Sequence, residues 1–309
     1  MKKFVKILNL CLCYAVFVAA LFIFLNLNIS ADIEMIQNLS EITPELLIEI
    51  EKEFEAEPQP DYESEKTIIK KHQTEKKIIK KFKPIIYEPT DLKSKNVPIL
   101  MYHTSSEKEP AGLRGLYVKP SEFEKQLQYL TDNNFTFCTF DDYYNLNNIE
   151  KPVIITFDDG YKENYTEIYP LLKKYRAKIT IFLALSSIRP SNITQNMIVE
   201  MNKSGLVKFE SHTNTHPSLS AISSNNARLT DELLNSKLKI EEITGRKVLA
   251  LAYPNGEFNE AVKQKTKEFY LFGLRKDLGM HNTIYDNYEI RRIRIDRNTP
   301  LETFKKLVG

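Results

Sequence analysis

The chain has 309 residues, which is room for one large domain or two modest ones. Its 43 Lys+Arg balance 41 Asp+Glu, so no global charge excess points to nucleic acid. Cys11 and Cys13 lie in the first apolar stretch and Cys138 stands alone in the rest, which excludes a disulfide framework there and leaves Cys138 as a buried structural thiol.

Lys2, Lys3 and Lys6 precede an uncharged run from Ile7 to Ala31, long enough to cross a bilayer as a helix. The lysines predict a single-pass anchor over residues 1–31 with everything after Ala31 outside the cytoplasm. A cleaved signal peptide is the competing reading, since Ile29-Ser30-Ala31 ends small, but the run is long for a signal core. Residues 32–96 then form a charged stalk. Asp32–Glu65 is acidic apart from Lys52, and Lys66–Lys83 is basic apart from Glu75. Such blocks read as solvated spacer, with an anionic wall polymer or lipid headgroups as the sharper alternative for the lysines.

From Val97 onward β and α patterns alternate. Strand-like runs fall at 99–103, 135–140, 153–157, 178–183, 206–211, 248–253, 270–274 and 290–295, with helical patterns at 121–133, 163–175, 194–203, 225–244, 259–268 and 301–308. Ser121 and Glu124 predict a capping box, and Gly205 and Gly245 predict helix ends. The alternation predicts an α/β fold, a (β/α) barrel of about seven repeats over residues 97–309, with its chemistry at the C-terminal strand ends.

Several polar residues gather at those ends. The run 153–157 delivers Asp158-Asp159-Gly160, two adjacent carboxylates that repel unless a cation intervenes. The run 206–211 leads into Ser211-His212-Thr213-Asn214-Thr215-His216-Pro217, the run 99–103 ends in His103, and the run 248–253 ends in Tyr253-Pro254-Asn255-Gly256. Two imidazoles and one carboxylate make a His₂Asp set with open positions, the pattern of a catalytic metal site. Each histidine alone reads as a hydrogen-bonded loop residue; the pair beside two aspartates does not.

Thr156-Phe157-Asp158-Asp159-Gly160 together with Ser211–Pro217 resembles the polysaccharide deacetylase family with the NodB homology domain (carbohydrate esterase family 4). The resemblance implies a deformed (β/α) barrel, Asp158 as catalytic base, and Asp159, His212 and His216 as ligands of a divalent metal. Zinc suits the set, with cobalt, nickel or iron as alternatives. It also implies hydrolysis of N-acetyl groups on an amino sugar, with a backbone N–H near Tyr253, Pro254 and Asn255 holding the oxyanion. Val97–His103 is similar to the subgroup acting on poly-β-1,6-N-acetylglucosamine, in which this early histidine is the acid; that assigns His103 to protonating the leaving amine. Two expected residues are missing. The third motif has Ala252 where an arginine is usual, with Arg292 and Arg294 as candidate substitutes, and the late strand carries no histidine. Tyr161, Tyr165 and Tyr253 are candidates for stacking on sugars.

The expected partners are an N-acetylated polysaccharide, the membrane through residues 1–31, and neighbouring polysaccharide synthesis or export machinery, but no nucleic acid. The alternatives are deacetylation of peptidoglycan or chitin oligomers, glycan O-acetyl ester hydrolysis, and a non-catalytic glycan binder.

Overall fold

The computed structural model describes residues 93–108, 114–190, 192–276 and 279–309. The expected anchor and nearly all of the stalk lie outside them. No helix among the described residues is long and apolar enough to cross a membrane.

The described residues contain twelve strands: β1 (Asn96–Val97), β2 (Ile99–Tyr102), β3 (Thr104–Ser105), β4 (Tyr117–Val118), β5 (Thr136–Cys138), β6 (Pro152–Phe157), β7 (Ile179–Leu183), β8 (Val207–Ser211), β9 (Ala250–Ala252), β10 (Phe272–Leu274), β11 (His281–Asn282) and β12 (Ile293–Arg294). Eight of them form one parallel sheet in the order β10-β9-β8-β7-β6-β2-β12, with β5 paired to β6. The sheet curls into a half-barrel. Its two edges are linked by the late segment, where Ile290 bridges to Leu274 and Ile293–Arg294 pairs with Leu100–Met101. The expected barrel is therefore a curled sheet with its ring bridged rather than closed, because the last strand has only two paired residues.

The strands are β-branched and aromatic because both faces are covered: every residue of β2, β6, β7 and β8 is buried. Each such apolar side chain contributes about 1.5–3 kcal/mol. On the outer face Tyr102 stacks on Phe157 at 5.0 Å and Phe123 meets both edge-on. The inner face has an apolar floor that includes Ile154, Phe182, Ala250 and Phe272. A 3₁₀ segment, Phe140–Asn148, plugs that floor with Phe140, Tyr143 and Leu146.

The helices fall at Pro120–Asp132, Tyr169–Tyr175, Gln195–Lys203, Asn226–Thr230, Ser236–Thr244, Glu260–Phe269 and Leu301–Val308. One-turn π segments precede the second and fifth, at Asn164–Ile168 and Asp231–Asn235. The expected capping box is absent. Pro120, with φ preset for a first turn, starts the helix one residue early. The Ser121 N–H goes to Glu107 Oε1 at 2.6 Å, and Glu124 pairs with Lys174. A capping box forms instead at Thr139 and Asp142, where the sequence pattern gave no helix. Gly245 ends its helix in the left-handed conformation, as expected.

Candidate metal centre and active site

The inner face turns polar toward the C-terminal ends of its strands. Along β6 the inward residues run Ile154, Thr156, then Asp158 just past the strand end, with alternation fixing the sequence of chemistry. Asp158 donates its N–H to Tyr102 O at 2.9 Å, and the Gly160 N–H returns to Asp158 O, also at 2.9 Å. That three-residue turn forces Asp159 to φ 71° and Gly160 to φ 76°. A Cβ on Gly160 would lie 2.4 Å from Leu183 Cδ1. The turn thus points one carboxylate inward and the next along the rim.

His212 follows β8 and is buried. Its Nδ1 meets Ala252 O at 2.7 Å, which assigns the proton to Nδ1 and leaves Nε2 as the free acceptor. His216 Nε2 stands 3.1 Å from His212 Nε2, while Asp159 Oδ1 is 3.4 Å from the first and 3.5 Å from the second when taken from His212 to His216. Atoms bound at about 2.0–2.1 Å to a tetrahedral ion stand roughly 3.3 Å apart, so this N,N,O triangle fits one face of such a site. It is the only such group of His, Cys, Asp or Glu among the described residues. Burial pulls the His212 pKa down, but hydrogen bonding to Asp159 and the charge of Asp158 raise it overall. The site draws positive charge to this point. His216, half-buried, is lowered by burial and by His212.

Asp158 is buried and locked by Arg292: Nη1 reaches Oδ1 at 2.7 Å and Nη2 reaches Oδ2 at 2.8 Å. Arg292 in turn donates from Nε to Arg275 O at 3.1 Å and from Nη1 to Thr156 Oγ1 at 3.2 Å. Burial alone would raise the Asp158 pKa. The Arg292 charge, then His212, the two guanidinium hydrogen bonds and His103 overcome it and hold the carboxyl at about 2. Of the two candidate substitutes for the third-motif arginine, Arg292 is the one in contact with Asp158. Arg294 lies outward and donates to Gly115 O instead.

His103 lies between β2 and β3. Its pKa is lowered, by burial first; the charges of Asp158 and Asp159 push it up, and those of Arg292 and His212 push it down. Tyr102 points the other way, its hydroxyl donating to Gln126 Oε1 at 2.7 Å. His103 is not packed beneath it.

The segment after β9 is less open than its sequence suggests. Tyr253 is fully buried, its hydroxyl donates to Tyr288 O at 3.0 Å, and its N–H goes to Leu274 O. Pro254 has no N–H. Of the three residues expected at the oxyanion only the exposed Asn255, at φ 57°, has an N–H left for that task. Of the tyrosines expected to stack on sugars, Tyr161 and Tyr165 are partly exposed and Tyr253 is not. Tyr253 is buried, the Tyr165 hydroxyl is bound to Glu200 at 2.6 Å, and Tyr161 hydrogen-bonds Asp159, its pKa pushed up to about 12 by burial and then by that carboxylate. Cys138 is a buried free thiol, as expected.

Two buried carboxylates brace this rim and neither stood out in the sequence. Only Ser211 and Leu251 pair between β8 and β9, and Glu210 Oε2 fills the gap by accepting from Leu249 N at 2.6 Å and Ala250 N at 2.8 Å. Burial pushes Glu210 up to about 8. Glu232 accepts from the loop between the two histidines.

The model of the polysaccharide deacetylase family matches residues 145–271. A Bacillus subtilis protein assigned to the polysaccharide deacetylases, YxkH, is 32% identical over 210 residues, covering 66% of this chain and 72% of that one. The chain belongs to the polysaccharide deacetylase family. This deacetylase is also 28% identical over 214 residues to the poly-β-1,6-N-acetyl-D-glucosamine N-deacetylase of Staphylococcus aureus, covering 63% and 72% of the two chains. Its fold superposes on the Streptococcus pyogenes deacetylase PplD, solved in complex with acetate, with TM-score 0.65 and 29% identity over 70% of this chain and all of that one. Enzymes of this family use a divalent metal, and Asp159, His212 and His216 are the deacetylase's residues that could hold one.

Proposed function

We propose that this deacetylase is a metal-dependent N-deacetylase of N-acetylglucosamine units in an extracytoplasmic polysaccharide, with poly-β-1,6-N-acetylglucosamine as the polymer and residues 1–31 as its membrane anchor. The observation that carries the reading is an Arg292-clamped, ionised Asp158 beside the Asp159, His212 and His216 triangle. The likeness to the Staphylococcus aureus enzyme and the early position of His103 support the choice of polymer.

Zinc suits the donor set of two imidazoles and a carboxylate. When bound, the ion supplies Lewis acidity toward a carbonyl and lowers the pKa of water. Asp158 accepts the proton of the attacking water. Arg292 keeps it ionised and fixes both oxygens, each of which retains a second lone pair. The Asn255 N–H faces the developing oxyanion. His103 gives its proton to the departing nitrogen as the amide C–N bond breaks, leaving acetate and a free amine.

The test is acetate release by the purified full chain from β-1,6 and β-1,4 N-acetylglucosamine oligomers and from peptidoglycan, with and without a chelator, beside Asp158→Asn. Chelator-sensitive release confined to β-1,6 oligomers is the expected result. Release from peptidoglycan alone would move the substrate, and silence on all three with zinc bound would leave an esterase or a binder.

A further inference from the structure

The loop that carries the second histidine is bent hard. Thr213 sits at φ 71° and His216 at φ 60°, and left-handed backbone is strained for residues with a Cβ, most of all for a β-branched threonine. Such a loop persists only if its surroundings over-determine it. Here every N–H from Thr213 to His216 has a partner: Ser211 Oγ takes the Thr213 N–H at 3.2 Å and Thr213 Oγ1 takes the His216 N–H at 3.0 Å. The two between them, Asn214 N at 3.0 Å and Thr215 N at 2.8 Å, converge on one oxygen, Glu232 Oε2. The other oxygen, Oε1, takes the Thr215 hydroxyl at 2.5 Å. Glu232 is 3% exposed and is presented by the π turn Asp231–Asn235, an irregularity of the kind that often re-aims a functional side chain.

The two histidines differ in how they are held. His212 is fixed by its strand and by Ala252 O, whereas the described hydrogen bonds of the His216 ring lead only to His212 Nε2. The position of His216 rests on the loop, whose carbonyls at Thr213 and Asn214 accept from Leu185 N and Ser186 N and whose N–H groups at 214 and 215 are held by Glu232. Resting on the metal reading above, we propose that Glu232 is a positioning residue of the metal centre, setting the separation of the two histidine nitrogens through the backbone of residues 214 and 215. It touches neither metal nor substrate.

The experiment is Zn²⁺ titration of the full chain against a chromophoric chelator, for wild type, Glu232→Ala, His216→Ala and the double variant. Outer partners of metal ligands are worth about 10–100-fold in affinity. Glu232→Ala is expected to weaken Zn²⁺ by that factor. In the His216→Ala background the same change is expected to cost less than about 2-fold, because the ligand it positions is gone. Equal losses in both backgrounds would show a general structural role and overturn the proposal. So would unchanged affinity in Glu232→Ala. Should that variant not fold, Thr215→Val and Glu232→Gln keep the volume and remove one hydrogen bond or the charge. Each is expected to weaken Zn²⁺ about 3–10-fold, and wild-type affinity in both would overturn the proposal. If His216→Ala binds Zn²⁺ as tightly as wild type, the metal reading itself fails, which is a separate result.

Discussion

Replacing Arg292 by Met tests whether the Asp158–Arg292 pair is what makes the pocket tolerable to a buried carboxylate. Both side chains are almost wholly buried, and the pair is bidentate at 2.7 and 2.8 Å. Two charge-assisted bonds at about 1.5–3 kcal/mol each suggest a loss of roughly 3–6 kcal/mol. Removing one partner of a buried ion pair costs about 3–5 kcal/mol, because the other charge stays behind uncompensated. Met fills most of the volume over Phe182, where the guanidinium carbon now lies 5.6 Å from the ring centroid, so packing contributes little to the loss. The double variant Asp158→Asn, Arg292→Met removes both charges and is expected to fall within about 1–2 kcal/mol of wild type. A cycle with a coupling of at least ~2 kcal/mol is therefore expected. The chain has no Trp, so urea unfolding would be followed by circular dichroism, in chelator to keep the metal out of the balance. A single-variant loss below about 1 kcal/mol, or a double variant no better than the sum of its singles, would refute the account. Arg292→Lys is expected to lie between, since an ammonium cannot match both oxygens at once.

Three further outcomes are expected. His281 is fully buried against the Tyr143 hydroxyl at 2.7 Å, and burial, then Arg291, lowers it to about 4. The unfolded chain then binds the extra proton, so stability present above pH ~6.5 is lost as pH falls toward ~4, by about 3 kcal/mol at ~1.36 kcal/mol per pH unit. His281→Gln should flatten that slope in pH-dependent urea titrations, and an unchanged slope would assign it elsewhere. Gly273→Ala puts a Cβ 2.2 Å from Tyr253 Oη, which must move and give up Tyr288 O; overpacking of about 1–3 kcal/mol should lower Tm by several degrees in calorimetry. His103→Gln should lower kcat by about 10²–10⁴-fold in acetate release with Zn²⁺ stoichiometry unchanged, and full turnover would remove His103 from the mechanism.

The sequence makes most of the sheet legible because buried parallel strands must be apolar throughout. The run 153–157 and the strand Pro152–Phe157 differ by one residue, and the runs around β7 and β8 agree as closely. The Asp158-Asp159 and His212…His216 pairs are legible for a related reason: polar residues just past such strands have few structural uses. What stayed hidden is non-local. Glu232 lies in an ordinary amphipathic helical pattern, and nothing along the chain says that its carboxylate reaches residues 214 and 215. Tyr253 looked like a surface aromatic beside Pro254-Asn255-Gly256, but Gly273 on the next strand leaves room for its ring to be buried. Phe140–Asn148 shows no α-helical period because its turns are 3₁₀, though Thr139 and Asp142 stood at capping spacing. His281 reads as a loop residue since its strand has two residues and its partner is 138 positions away.

Arg292 shows why motif order along the chain is a weak constraint on this site. The carboxylate of Asp158 needs a cation fixed to both of its oxygens, and the pocket lies where the inward residues of several strands meet. β9 offers Ala252 at its end, whose carbonyl is already committed to His212 Nδ1. The segment between Ile290 and Ile293 runs from β10 to β2 and passes directly over Thr156 and Asp158. An arginine there reaches the same carboxylate from the opposite side. The same geometry brings the residue after β2, early in the chain, within reach of charges that come from β6, β8 and the late segment. A curled sheet makes chain-distant strand ends neighbours, so the requirement falls on the position a side chain reaches and not on the strand that supplies it.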